Sequence, residues 1–312
     1  MKKISKLLAL MLVLGLFMML AMGSGSSEPS VSKVGSVGED GETNQDTELQ
    51  DAYYVGDILS IKGLKLVYTA SGEYKDYSQY SAPKSGNKYI FLDFYAENSS
   101  DSDRGISYFD FECYADGYSA DQYYGNDNTL SCSLSNGRYA TGKLVFEVPK
   151  DAEDIEVEYS LSWLSDEKIN FIYEGEKESG FVAEPIKTRA EEAFAKGDIV
   201  ETKDLRISYL DAGNYKRDYS KPAAGNEYIY LEFEVENIDD SDHYVSTMDF
   251  DCYADGKECD AIYAEDELSA TISAGRKAKG KVCFEVPKDA EIVEVEYETN
   301  MWTSNHIVFT YR

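Results

Sequence analysis

Basic residues and histidine are scarce in this sequence. Its 312 residues include 30 Lys and Arg against 59 Asp and Glu, and only two histidines, which gives a formal net charge of −29 at pH 7. Nucleic-acid surfaces need clustered Lys and Arg, so the composition argues against a nucleic-acid partner. The same negative field would repel an anionic membrane surface. The length predicts about two domains of ~100–200 residues each.

Metal-binding and redox cysteine motifs are also lacking. The five cysteines include no Cys-x-x-Cys pair, the spacing typical of zinc and redox sites. Aromatic residues, by contrast, make up 13% of the chain, with 26 Tyr and 13 Phe. Because these side chains can bury large apolar areas, we predict a folded protein despite the high charge.

The N-terminus predicts export. Three lysines precede an apolar run over residues 7–22, and small residues follow from Gly23. This pattern is typical of a secretory signal peptide, predicted here over residues 1–23, and the run is short for a membrane span of about 20 residues. An uncleaved membrane anchor is the alternative. The segment resembles a bacterial lipoprotein signal, but Met22 stands where the lipid-accepting cysteine should be, so no acylation site is expected.

The segment after the signal peptide predicts a disordered acidic tether. Residues 24–52 are rich in Gly, Ser, Thr and acidic residues and contain no run of apolar residues. Such a composition cannot bury enough apolar surface to fold.

The rest of the chain is duplicated. Residues 86–117 and 225–256 are identical at 19 of 32 aligned positions, and Gly-Asp-Ile at residues 56–58 recurs at 197–199. A period of about 140 residues is far longer than a solenoid repeat, so each copy should be a whole domain.

We predict domains over residues 53–174 and 196–312, joined by a linker over residues 175–195. Within this linker, residues 185–195 favour a short helix because Ala and Glu predominate.

Within each copy, apolar and polar residues alternate with a period of two. This predicts strands with one core face and one wet face. The predicted core positions of the first copy are Ile90, Leu92, Phe94, Ala96, Phe109, Phe111, Cys113, Leu144, Phe146, Val148, Ile155, Val157, Tyr159, Ile169, Phe171 and Tyr173. Seven to nine short strands per copy predict an all-β protein of two antiparallel sandwiches.

Two motifs shared by the copies carry a family resemblance. Each copy contains Gly-Asn-x-Tyr-Ile-x-Leu-x-Phe-x-x-Glu-Asn and, further on, Phe-Glu-Val-Pro-Lys-Asp-Ala. This order resembles a domain-of-unknown-function family of bacterial exported lipoproteins, similar to the secreted immunoprotective antigen family. The resemblance implies two tandem immunoglobulin-like sandwiches and export, and it implies no catalytic residues.

Candidate catalytic residues are few because both histidines lie in the second copy. His243 aligns with Arg104, and His306 aligns with Lys168. Positions that accept Arg, Lys or His are expected to be solvated polar sites rather than parts of a nucleophile–base pair. Paired carboxylates of a hydrolase stay open as an alternative in so acidic a chain.

Four of the five cysteines could form disulfides in an exported protein. A two-residue turn at Asp255-Gly256 would place Cys252 opposite Cys259 at a distance compatible with a bridge. In the first copy, the available local partner of Cys113 is Cys132. The alternative is that these cysteines are small core residues.

Acidic loops follow equivalent strands in the two copies, at residues 98–103 and 237–242. Several hard oxygen ligands in one short turn suit Ca²⁺, although the glycine and terminal glutamate of the helix-loop-helix calcium motif are missing. Apart from Ca²⁺, no cofactor is expected, and a solvated turn is the alternative. The predicted calcium ligands are Asp101, Asp103, Asp240 and Asp242.

Aromatic residues on the wet side of the predicted strands form a candidate contact surface. Tyr89, Phe91 and Tyr95 lie there in the first copy, and Tyr228 and Tyr230 in the second. Rigid amphipathic rings suit protein or glycan contacts. Alternatively, this face is covered by a further layer, or the rings pair across strands and stabilise the sheet.

These observations predict an exported, non-enzymatic binding or adhesion module that contacts a protein or glycan at the cell exterior. It would meet the membrane only through an uncleaved N-terminal segment. The alternatives are a small hydrolase, an enzyme-inhibiting accessory protein, or a structural spacer. A binding module should expose an aromatic patch and have no deep pocket, whereas an enzyme should hold perturbed carboxylates or His306 in a cleft. A spacer should show neither a patch nor a cleft.

Overall fold

A computed structural model describes residues 31–41, 43–44, 52–126, 128–161, 167–187, 190–299 and 305–312. The predicted signal peptide, Met22 and most of the predicted tether lie outside the described residues. Within the described residues, no helix is both long enough and apolar enough to cross a membrane.

The first copy and its flanks contain thirteen strands among the described residues. They are β1 (Val31–Val37), β2 (Thr43–Asn44), β3 (Asp57–Ile61), β4 (Leu64–Tyr74), β5 (Asn87–Asn98), β6 (Arg104–Ser107), β7 (Phe111–Ala115), β8 (Tyr118–Gln122), β9 (Ser131–Leu134), β10 (Tyr139–Pro149), β11 (Ile155–Ser160), β12 (Lys168–Ile172) and β13 (Lys177–Glu178).

The second copy repeats this order. Its strands are β14 (Ala193–Phe194), β15 (Ile199–Glu201), β16 (Leu205–Asn214), β17 (Asn226–Asn237), β18 (His243–Val245), β19 (Phe250–Ala254), β20 (Lys257–Cys259), β21 (Ala270–Ile272), β22 (Lys277–Pro287), β23 (Val293–Glu298) and β24 (His306–Thr310). The described residues contain two further elements, 3₁₀ turns at Tyr108–Asp110 and Thr247–Asp249.

Each copy is a sandwich of two antiparallel layers. In the first copy, β3, β4, β5 and β10 form one layer, and β7, β11 and β12 form the other. Strand β8 pairs with both β7 and β10 and joins the layers at one edge. In the second copy the layers are β15-β16-β17-β22 and β20-β19-β23-β24. The predicted all-β fold of two tandem sandwiches is confirmed.

The core lies between the two layers, as the alternation of apolar and polar residues predicts. Ile90, Leu92 and Phe94 of β5 are buried, and they pack in one cluster with residues of the facing layer such as Val157 and Phe171. The second copy has an equivalent cluster around Phe233. The period-two pattern predicts these core faces correctly because one face of each strand packs on the other layer.

Phe109 is the exception among the predicted core positions, since its side chain is largely exposed. The chain leaves the strand geometry here and forms a 3₁₀ turn, in which Phe109 N–H donates to Ser107 Oγ and Ser107 N–H donates to Asp110 Oδ2. This reciprocal capping turns Phe109 away from the core.

The predicted disordered tether is wrong for its middle part. Residues Val31–Val37 form β1, which pairs antiparallel with β3. Val31 and Val37 are buried, and the buried Lys33 forms an ion pair with Asp57 at 2.9 Å. The Val-x-Lys-x-Gly-x-Val alternation supplies a strand face even without an apolar run.

The predicted linker helix over residues 185–195 is also wrong. The described part of this segment is extended, and Ala193–Phe194 pair in parallel with β24. Ile186 N–H donates to Asp255 O at 2.7 Å, and Ala190 N–H donates to Glu294 Oε1 at 2.9 Å. These backbone donors bind the second copy, which outweighs a weak local helix propensity.

Candidate functional site

The predicted aromatic contact surface is largely covered. Tyr89, Tyr95 and Tyr228 are buried, and Phe91 and Tyr230 are partly buried. The prediction of a wet binding face on these strands is therefore wrong, and the alternative of a covered face holds.

A loop after β4 covers Tyr89, and an equivalent loop covers Tyr228. The Tyr89 hydroxyl donates to Ser81 O at 3.0 Å, and its ring lies 4.5 Å from the ring of Tyr123. The Tyr228 hydroxyl donates to Ser220 Oγ at 3.4 Å. Burial raises the pKa of Tyr89, which keeps its phenol neutral as a hydrogen-bond donor.

The linker covers Tyr95. The ring of Phe181 lies 4.8 Å from that of Tyr95, and Tyr139 lies 5.2 Å away on the neighbouring strand. The Tyr95 hydroxyl donates to Glu97 Oε2 at 2.9 Å, and burial, followed by the charge of Glu97, raises its pKa. Tyr95 therefore anchors the linker to the first sandwich.

Exposed apolar residues lie at several places among the described residues, and two of them, Phe109 and Met248, lie in the 3₁₀ turns. We define patch 1 as Tyr108, Phe109 and Tyr124, and patch 2 as Thr247, Met248 and Tyr263. Phe109 and Tyr124 are 73% and 61% exposed, and the ring of Tyr108 lies between theirs, 4.1 Å and 5.5 Å away. Met248 and Tyr263, at equivalent positions of the second copy, are 85% and 57% exposed.

Both patches rest on the same local structure. Ser246 and Asp249 cap the second turn as Ser107 and Asp110 cap the first. A pocket of about 220 Å³ adjoins patch 2 and is lined by Thr247, Tyr263 and strand residues beneath them. The sequence signal that could have identified the patches is the Ser-x-x-Asp capping box followed by a Phe-containing strand in each copy.

The predicted hairpin register at Asp255-Gly256 is confirmed, since Cys252 lies directly opposite Cys259. The five cysteines are nevertheless free thiols, so neither the Cys252–Cys259 nor the Cys113–Cys132 disulfide is present. Burial raises the pKa of Cys113 to about 12, which makes it an unreactive core residue.

The structure does not bring the predicted calcium ligands together. Asp101, Asp240 and Asp242 are exposed, and Asp103 lies against His306 of the other copy, with Nε2 3.0 Å from Oδ1. Among the described residues, the ligand atoms that converge belong to Asp204, Asp239 and His243, which all lie within 4.8 Å of one another. Only the loop of the second copy therefore contributes to a potential metal centre.

A buried polar network joins the two copies. Arg138 of the first copy donates to Glu294 Oε2 at 2.8 Å and to Glu296 Oε1 at 2.8 Å, and Ser135 Oγ donates to Glu296 Oε2 at 2.6 Å. The guanidinium also stacks 4.7 Å from the ring centre of Tyr253. The single guanidinium faces two carboxylates, which also accept hydrogen bonds from Ser135 Oγ and Ala190 N–H, and this network joins the two copies.

A cleft of about 530 Å³ opens beside this network, lined by residues of both copies and of the linker. Two of its acids are perturbed. Burial, then the charge of Glu296, raises the pKa of Asp251 to about 6, and burial, then the charge of Asp251, raises the pKa of Glu258 to about 8. His306 is not among the lining residues. With a pKa of about 8, Glu258 keeps its proton at neutral pH, whereas Asp251 loses its proton above about pH 6.

The domain of unknown function DUF4352 matches the chain twice, over residues 53–169 and 194–307. No curated protein matches the chain. The match covers both sandwiches and well over half of the sequence, which confirms the family predicted from the shared motifs.

Several solved structures are similar to parts of the chain. YcdA of Bacillus subtilis, a candidate lipoprotein, is 18% identical over 36% of this chain and 37% of its own, with a TM-score of 0.32. The secreted protein MPT63 of Mycobacterium tuberculosis is 15% identical over 39% of this chain and 99% of its own, with a TM-score of 0.30. An uncharacterised β-sandwich protein of Clostridium difficile is 14% identical over 41% and 100%, with a TM-score of 0.27.

Proposed function

We propose that this chain, which belongs to the DUF4352 family, is an exported, non-enzymatic binding module. Its partner docks on patches 1 and 2. The predicted signal peptide supports export. The partner is a protein or glycan at the cell exterior.

The observation that carries the proposal is the exposure of Phe109 and Met248 at the same position of the two copies. An apolar side chain that a capped turn holds in solvent does not stabilise the fold. Burying such a side chain against a partner would contribute ~1.5–3 kcal/mol to the free energy of binding. The Tyr124 and Tyr263 rings add rigid amphipathic surface beside them. Clustered exposed apolar residues of this kind mark interaction sites.

The duplicated domain gives the chain two similar patches. Two patches on one chain can raise avidity for a repeated partner without any new contact. Patch 1 presents three aromatic rings and patch 2 presents one ring and a thioether chain, so we expect patch 1 to bind more tightly to a planar partner such as a sugar ring.

The test is retention of the full chain on envelope material from the producing cell. We expect Phe109→Ser with Tyr124→Ser to weaken retention at least tenfold, and Met248→Ser with Tyr263→Ser to weaken it by less. The matched control is Tyr118→Ser, since Tyr118 is 78% exposed in the first copy but lies outside patch 1. Equal loss in the control, or no loss in either patch variant, would contradict the proposal.

A hydrolase is the second candidate, and the interdomain cleft supports it. Asp251 and Glu258 have raised pKa values there, as a general acid requires. Turnover of glycan or peptide libraries by the full chain, abolished by Glu258→Gln, would replace the binding proposal. Unchanged libraries after prolonged incubation would eliminate the hydrolase.

A further inference from the structure

Three side chains of the second copy converge at one end of its sandwich. Asp204 lies in the turn between β15 and β16, Asp239 lies in the loop after β17, and His243 begins β18. Their ligand atoms lie within 4.8 Å of one another. His243 Nε2 is 3.3 Å from Asp239 Oδ2, which is about the separation of two ligands on a tetrahedral Zn²⁺.

Hydrogen bonds fix the two loops that carry these side chains. Ile238 N–H donates to Asp204 O at 3.0 Å, which joins the loop to the turn. Thr202 Oγ1 accepts from Asp204 N–H at 3.2 Å, and the buried Asn237 side chain donates to Ser241 O at 2.6 Å. A site positioned in this way needs little reorganisation to accept an ion.

One ligand atom lacks a protein hydrogen bond. Asp204 Oδ1 is itself buried and accepts no hydrogen bond, while the Asp204 side chain as a whole is 34% exposed. The nearest cation is the ammonium of Lys203 at 3.4 Å, on a side chain that is almost fully exposed. A metal ion bound at the cluster would replace this solvent-exposed ammonium as the partner of the carboxylate.

The first copy shows the same loops without the ligands. Gly63, Ser100 and Arg104 occupy the positions of Asp204, Asp239 and His243, and Ser99 N–H donates to Gly63 O as Ile238 N–H does to Asp204 O. Arg104 Nε donates to Ser100 Oγ at 3.1 Å, so a permanent cation already lies there. All three ligands are therefore specific to the second copy, and the fold does not require them.

We infer that Asp204, Asp239 and His243 bind a divalent transition-metal ion, with Zn²⁺ as the ion that best suits the ligand set. Zn²⁺ accepts both imidazole nitrogen and carboxylate oxygen, whereas Ca²⁺ takes oxygen ligands alone. Three protein ligands leave a fourth position open for water or for a donor group of a partner.

The first test is calorimetric titration of the untagged full chain with ZnCl₂ and, separately, with CaCl₂. We expect one Zn²⁺ per chain and no Ca²⁺ binding. His243→Arg and Asp239→Ser, which restore the residues of the first copy, should each weaken Zn²⁺ binding at least tenfold. The matched controls Asp240→Asn and Asp242→Asn remove a charge from the same loop and should leave the affinity unchanged.

The second test uses the unsubstituted chain, so its result does not depend on whether a variant folds. Because the chain has two histidines, its imidazole ¹H–¹⁵N spectrum contains two ring systems. Stoichiometric Zn²⁺ should shift the His243 ring and leave the His306 ring in place. The inference is overturned by an unshifted His243 ring, by Ca²⁺ binding without Zn²⁺ binding, or by Zn²⁺ affinity that survives His243→Arg.

Discussion

Glu258 illustrates at the scale of one residue how the acidic composition is accommodated. The fold buries this carboxyl next to Asp251, and burial raises its pKa from 4.5 to about 8. Since the folded state holds its proton to higher pH than the unfolded chain does, the free energy of unfolding falls as pH rises from about 4.5 to 8.

Glu258→Gln should therefore stabilise the protein at pH 8 by up to about 4 kcal/mol and flatten the decline of stability between pH 4.5 and 8. Urea unfolding at several pH values measures this. The control is Glu265→Gln, at an exposed position of the same copy, which should leave the pH profile unchanged. If the free energy of unfolding of Glu258→Gln declines with pH as steeply as that of the unsubstituted protein, the burial of Glu258 does not control the pH dependence of stability.

At the scale of one element, β1 shows that the first sandwich extends beyond the repeated unit. The Lys33–Asp57 ion pair ties β1 to β3, and both side chains are buried. Asp57 Oδ2 also accepts from Tyr54 N–H at 3.0 Å, so the carboxylate is fully engaged. Removing the lysine would leave a buried, uncompensated charge.

We predict that Lys33→Ala destabilises the protein by about 3–5 kcal/mol, as the loss of one partner of a buried pair does. Lys33→Met with Asp57→Asn should recover much of this loss because neither variant side chain is charged. Equilibrium unfolding measures both. If Lys33→Ala changes stability by no more than an exposed substitution such as Lys62→Ala, β1 is not an integral strand.

The elements differ in how far the sequence could predict them. The core face of β5 follows from its alternation, because burial on one face is a local property of the strand. The opposite face of β5 is also covered, by residues 77–81 and 181–186. Because these segments reach β5 only through the tertiary fold, the alternation within β5 cannot predict that they cover it. The alternation misplaces Phe109 because the capping box of Ser107 and Asp110 interrupts the period of the strand.

The candidate metal site also combines a local feature that the sequence shows with a tertiary contact that it does not show. The acidic loop at residues 237–242 is visible in the sequence, but its meeting with Asp204 depends on the pairing of Leu205 with Asn237 across β16 and β17. That register brings the β15–β16 turn beside the loop. Residues 35 positions apart in sequence become neighbours only through the sheet.

At the scale of the whole molecule, the Arg138 network couples the two sandwiches. Arg138→Ala would leave Glu294 and Glu296 buried without their cation. We expect a loss of about 3–5 kcal/mol and faster protease cleavage of the linker over residues 175–195. The matched control is Arg206→Ala, which breaks a solvent-accessible pair with Glu201 and Glu236 and should cost less than about 1 kcal/mol.

If Arg138→Ala leaves the protease sensitivity of the linker unchanged, the network does not hold the copies together. Limited proteolysis followed by mass determination of the fragments separates the two outcomes.

The net charge of −29 favours repulsion between copies of the chain and favours solubility. In the proposed function, the apolar patches at the two 3₁₀ turns supply the specific contact.

The most direct measurement compares two fourfold variants of the full chain for binding to envelope material. One removes the patches, with Phe109, Tyr124, Met248 and Tyr263 changed to Ser. The other changes four exposed aromatic residues outside them, Tyr80, Tyr118, Tyr219 and Tyr244, to Ser, and these are 62–90% exposed against 57–85% for the patch residues. We predict that binding is lost in the first variant and retained in the second. Binding that survives the first variant, or is lost equally in both, would contradict the assignment of the patches as the binding surface.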